Sequence, residues 1–109
     1  MKLLIAIVND DDSDDLIDTL TEKDFRVTKL ATSGGFLKAG NTTLMMGVED
    51  TKTEEVISII KDICKERDEI IPSPIPITES PEIYIQYPIE VKVGGATVFI
   101  IDVEQFIKI

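Results

Sequence analysis

The 109-residue chain has no histidine, no tryptophan and a single cysteine, Cys64. Without imidazole it lacks the usual general base near neutral pH, any Ser-His or Cys-His nucleophile pair, and the common zinc or iron ligand. One thiol permits neither an internal disulfide nor a cysteine-rich metal site. Cations are scarce: 11 Lys and Arg stand against 21 Asp and Glu, a formal net charge of −10. Such a surface repels polyanions, which argues against nonspecific binding to nucleic acid or to an anionic membrane. Long apolar runs are also missing. The stretch Leu3 to Val8 is six residues long, too short for an export signal and far below the ~20 residues of a membrane span. A cytoplasmic location is therefore expected.

What remains is an ordinary globular balance, 43% hydrophobic and 29% charged, with room for one domain over residues 1–109. Residues 3–8 read as a buried strand. The aspartates at 10–15 supply a helix start, with Asp12 or Ser13 as N-cap and Leu16, Ile17 and Leu20 as the apolar stripe. A second strand is predicted over 25–31 and a third over 41–48. Thr51 and Glu54 have capping-box spacing and open a helix whose residues Val56, Ile59, Ile60, Ile63 and Cys64 form one apolar face. Cys64 is then a small core residue. Further strands are predicted over 89–93 and 96–103, joined at Gly94-Gly95 as a two-residue hairpin.

Strand, helix, strand, strand, helix, strand is the split βαβ order, an α+β ferredoxin-like βαββαβ fold with both helices on one face of an antiparallel sheet. The opposite face should be polar. Yet Leu3 to Val8 and Val98 to Ile101 are apolar at both parities, as in strands covered on two sides. Self-association that supplies a second layer follows from that pattern.

The glycines cluster: Gly34, Gly35, Gly40 and Gly47 lie around one hairpin and Gly94-Gly95 in another. No acid occurs from Phe25 through Gly47, where average spacing would place about four. The same stretch holds Arg26, Lys29 and Lys38. Glycine lets backbone N–H groups approach an anion, Arg adds a fork of charged donors, and Phe36 offers a face for a base. A pocket for a nucleotide-like anion and a plain glycine-requiring hairpin are both compatible with this composition. Gly35 to Gly40 imitates the glycine spacing of a phosphate-binding Walker loop, but Asn41 stands where that device needs lysine, and a strand rather than a helix follows. Asp10, Asp12 and Asp14 brush against a calcium-loop pattern, but Asp15 and Thr21 replace its glycine and glutamate. Helix capping accounts for the aspartates without a metal. No cofactor and no catalytic residue is expected; a phosphoesterase using this cluster with a divalent metal is the enzymatic alternative.

The run Thr28-Lys29-Leu30-Ala31-Thr32-Ser33-Gly34-Gly35-Phe36-Leu37-Lys38-Ala39-Gly40-Asn41-Thr42-Thr43, continued by Pro88, Val91 and Val93-Gly94-Gly95-Ala96-Thr97-Val98-Phe99, resembles the signature of the PII-like cyclic di-AMP receptors of Gram-positive bacteria. The resemblance spans nearly the whole chain. It implies a PII-like homotrimer with one cyclic di-AMP at each subunit interface, and a signalling role without catalysis, relayed by loop rearrangement to a downstream protein. Carried over by position, the ligand contacts would be Arg26, Thr28, Gly35, Phe36, Leu37, Asn41, Gly47 and Phe99. Strand parity lets Arg26 face one pocket with Thr28, and Asn41 with Gly47, while Lys29 points the other way. Relatives often carry Asn at position 24 and Gln at position 108, where this chain has Asp24 and Lys108. A PII-like sensor of another adenine nucleotide is the alternative among binding proteins.

Besides the ligand loop at 32–40, a second long segment stands out at 68–88, which holds all five prolines and no glycine. Proline denies it helix and central strand. Its isoleucines and tyrosines are too apolar to stay in water, so it is expected to dock at least partly on the body and to act as the output arm.

Overall fold

The computed structural model describes residues 1–30, 40–73 and 87–109. Strand β1 (Lys2–Asn9) leads directly into helix α1 (Asp10–Glu22), and β2 (Thr28–Leu30) and β3 (Asn41–Val48) follow. A 3-10 turn (Asp50–Lys52) opens into α2 (Thr53–Ile63), then come β4 (Arg67–Ser73), β5 (Tyr87–Val93) and β6 (Ala96–Asp102). Four strands form one sheet in the order β2-β3-β1-β6, every pair antiparallel. The α+β architecture and this strand order are compatible with the ferredoxin-like fold. β4 and β5 form a separate two-stranded ribbon.

Both helices cover one face. Leu4, Ala6 and Val8 of β1 and Leu44, Met46 and Val48 of β3 point into the core, where they meet Leu16, Leu20, Val56, Ile60 and Cys64. Alternation places the even-numbered residues of both strands under the helices. Leu4, Leu16, Leu20 and Leu44 are fully buried, each contributing about 1.5–3 kcal/mol of transfer free energy. Burial also pushes the Cys64 thiol up to about 11. At pH 8 its thiolate fraction is then about a hundredfold below that of an ordinary thiol. Alkylation of the native protein at pH 8 is expected to be slower than in denaturant by at least that factor. Equal rates in the two states would contradict the burial.

Several local expectations change. Helix α1 begins three to four residues earlier than expected because Asn9, not Asp12 or Ser13, is the N-cap, its Oδ1 accepting from the Asp11 amide at 2.9 Å; Asp12 and Ser13 are instead buried at the start of the helix. Thr51 caps nothing, since the 3-10 turn occupies its position and Thr53 Oγ1 donates to the Glu49 carbonyl. β2 is only three residues long, and Phe25 packs into the core ahead of it. The Gly94-Gly95 hairpin is wrong: β5 pairs with β4 and β6 with β1, so these glycines mark a passage between sheets. Gly94 has φ +86°, and a Cβ there would stand 2.7 Å from the Lys65 carbonyl oxygen and 2.8 Å from Arg67 Nη1. Prolines did not deny strand to the whole of 68–88. Pro72 pairs with Pro88 in the ribbon, where each strand keeps a free edge and a missing N–H is tolerated. In the described part of this arm Ile70 is 71% exposed; 74–86 lies outside the described residues.

Candidate functional site

Register across the sheet assigns each expected ligand residue to a face. Thr28 lies opposite Met45, Met45 opposite Ile5, and Ile5 opposite Phe99, one row across all four strands. The adjacent row toward the β1 start holds Gly47, Leu3 and Ile101. Directly opposed residues project to the same side, and on β1 and β3 this is the odd-numbered side, away from the helices. Thr28, Asn41, Gly47 and Phe99 therefore share the outer face of the sheet. No helix among the described residues covers it. Phe99 is 52% exposed and Ile101 46%, and Leu3, Ile5, Ile7 and Met45 are only partly buried.

Arg26 joins this face at one end. A cavity of about 500 Å³ is lined by Leu3, Arg26, Thr28, Met45, Gly47 and Phe106, with Lys108 at its border. That volume is within the usual range of small-molecule sites. Its described lining is apolar except for a hydroxyl and two cationic side chains, and it includes no carboxylate. The Gly47 position lets the cavity reach the backbone of β3, since a Cβ there would touch only Met1 Sδ at 3.7 Å. An adjoining cavity of about 380 Å³ shares Arg26, Gly47, Phe106 and Lys108 and adds the carboxylates Asp24 and Glu49 and the cation Lys52. Chemically, the first cavity offers an apolar slot for a planar ring with Arg26 and Lys108 as charged donors, and the second is of mixed charge.

The expected set is thus only partly assembled within one copy. Arg26, Thr28 and Gly47 come together. Asn41 sits at the opposite end of β3, six residues and about 20 Å from Gly47, and Phe99 lies three strand spacings, about 14 Å, from Thr28. Gly35, Phe36 and Leu37 lie outside the described residues. Asp24 and Lys108, the two departures from the relatives' pattern, both line the adjoining cavity. Leu3, Met45 and Phe106 were missed. Parity of β1 and β3 could have indicated the first two; Phe106 follows the last strand and carries no periodic signal.

Two aspartates of α1 are otherwise engaged. Asp10 accepts from Thr42 Oγ1, and the buried Asp12 carboxylate pairs with Arg67 at 2.9 Å. Among the described residues no three His, Cys, Asp or Glu side chains converge as a metal could require. No helix among them is long and apolar enough to cross a membrane.

Comparison with known proteins bears on this face. The family model described as cyclic-di-AMP receptor matches residues 1–109, the whole chain. Among solved structures, the chain is similar to a functionally unknown protein from Pediococcus pentosaceus ATCC 25745, with 44% sequence identity and a TM-score of 0.75. The match covers 99% of this chain and 96% of that one.

Proposed function

The chain belongs to the cyclic-di-AMP receptor family, and from that premise we propose that it binds cyclic di-AMP on the outer sheet face at contacts between copies. The observation that carries this reading is the shared face: every described residue of the expected set faces outward there or lines its end cavity, yet the set does not close within one copy. A second copy laid against that face brings the Arg26 end of one chain toward the Asn41 end of another. It also covers Leu3, Ile5, Met45 and Phe99. Among the described residues β6 is an edge strand of seven residues without Pro or Lys, the kind of edge proteins normally cover. Closed three-fold packing, as the PII-like resemblance implies, meets all of these demands.

The adenine is received by the apolar cavity and the Phe36 ring, and Asn41 presents both a donor and an acceptor to a base edge. Arg26 supplies charge-assisted donors to a phosphodiester. The protein acts as a cytoplasmic signalling receptor that turns over no substrate and needs no cofactor, and loop rearrangement passes ligand state to a partner protein.

Calorimetry against cyclic di-AMP, cyclic di-GMP and ATP, each with and without magnesium, tests the reading. Cyclic di-AMP is expected to bind most tightly and independently of magnesium. ATP binding as tightly or more tightly would remove it, and magnesium-dependent turnover of any of the three would favour a phosphoesterase.

A further inference from the structure

The first turn of α1 touches two places that the sequence separates widely. On one side it holds the exit of the ligand loop. The Asp10 amide donates to the Gly40 carbonyl at 2.9 Å, and the Asp10 carboxylate accepts from the buried Thr42 hydroxyl. On the other side it holds the root of the β4–β5 arm. Arg67, the first residue of β4, donates from Nη2 to Asp12 Oδ1 at 2.9 Å and from Nη1 to Asp12 Oδ2 at 3.3 Å. The Asp12 side chain is only 8% exposed, so this fork is held in a partly desolvated setting where geometry is exacting.

The turn between these contacts is stiff. Asn9 caps it, and the buried Ser13 hydroxyl donates to the Asp10 carbonyl at 2.8 Å. The arm root is equally constrained. Arg67 Nη1 also donates to the Lys65 carbonyl at 3.1 Å, Gly94 packs against both groups, and the Gly95 amide donates to the Cys64 carbonyl. Gly40 and Thr42 are thus joined through Asp10 and the turn to Asp12 and its guanidinium partner by an unbroken run of hydrogen bonds.

We infer that this turn couples the ligand loop to the β4–β5 arm, with Asp12 and Arg67 as positioning residues that transmit loop position to the arm root. The inference deepens the receptor reading by naming its internal relay, and it rests on that reading for its biological meaning. A contiguous path by itself does not establish coupling; non-additive energetics do.

A double-mutant cycle on the full-length protein tests it without ligand. Thr42→Val removes the hydroxyl at the loop exit, and Asp12→Asn weakens the fork at the arm. Hydrogen exchange is followed over 67–73 and 89–95. Thr42→Val is expected to speed exchange at the arm root by roughly fivefold in the parent, and by nothing further in Asp12→Asn. Should Asp12→Asn fold poorly, Arg67→Gln opens the same fork from its solvent side and is expected to give the same cycle. Reciprocity requires Arg67→Gln to loosen the amides at 40–43 in return. Independent effects that simply multiply, or an arm root indifferent to Thr42→Val, would overturn the coupling. Cyclic di-AMP titrated into the same samples keeps the two readings apart. Failure of the nucleotide to bind the parent refutes the receptor reading, and the ligand-free cycle still decides the relay.

Discussion

Ile5→Glu is expected to break the assembly into monomers and to abolish nucleotide binding together with it. Ile5 occupies the centre of the outer face, between Met45 on β3 and Phe99 on β6. Its side chain points away from the helices, so a glutamate there leaves Leu4, Ala6 and the rest of the core undisturbed. Placed between two packed copies, however, the carboxylate is buried without a partner at a cost of several kcal/mol per ion. In the proposed three-fold assembly that cost recurs at every interface. Light scattering at micromolar concentration should return about 36 kDa for a parent trimer of 12.1 kDa chains, and the single-chain mass for the variant with an unchanged far-ultraviolet circular dichroism spectrum. A parent that is monomeric, or a variant that keeps the parent's mass, would show that this face is not where copies meet.

Arg26→Ala and Asn41→Ala should each weaken cyclic di-AMP binding, and mixing them should restore part of it. Loss of a charge-assisted hydrogen bond from Arg26 corresponds to about 1.5–3 kcal/mol, or about 10- to 150-fold in affinity. Loss of the Asn41 amide corresponds to about 1–3 kcal/mol if its bond to the ligand is buried. The two residues lie near opposite ends of the sheet face, about 20 Å apart along β3, too far for one base to touch both within a copy. If different copies contribute them, co-assembled single variants regain intact sites at roughly a quarter of the interfaces, as random association of subunits requires. Calorimetric stoichiometry reads this directly. Full-strength binding by both single variants would place the site elsewhere. No recovery in the mixture would mean that one copy supplies both groups.

Much of this molecule could be read before its structure was known. The third strand was legible with its observed limits, Asn41 to Val48, because Asn41 follows a glycine and a short apolar run ends before the acidic Glu49. The apolar face of α2 was equally legible, since Val56, Ile60 and Cys64 recur at helical spacing and are all buried. The double-sided apolarity of β1 already implied a missing layer, and the odd face of that strand is indeed uncovered by any described helix. These features are local or periodic, and the hydrophobic effect acts on them through residue order alone. The sixteen-residue run from Thr28 to Thr43 carried the family for a different reason, its specificity of pattern.

Tertiary structure decided where segments distant in sequence meet. Gly94-Gly95 satisfies every local demand of a hairpin, but whether flanking strands pair is settled by which partner offers a complementary edge; here β4 claimed β5 and β1 claimed β6. Prolines 72 and 88 forbade only central strands, and an isolated ribbon has none. Asp12 read as a cap because its neighbours are acidic and a helix follows. Its actual partner, Arg67, is 55 residues away, and no one-dimensional signal links them. The outer-face cavity has the same origin, drawing on Leu3, Arg26, Met45 and Phe106 from four parts of the chain. Residue order determined most of the elements, though not β4, and it determined the buried face and the family. Pairing register and long-range charge contacts, which depend on three-dimensional proximity, determined the cavity and the Asp12–Arg67 contact.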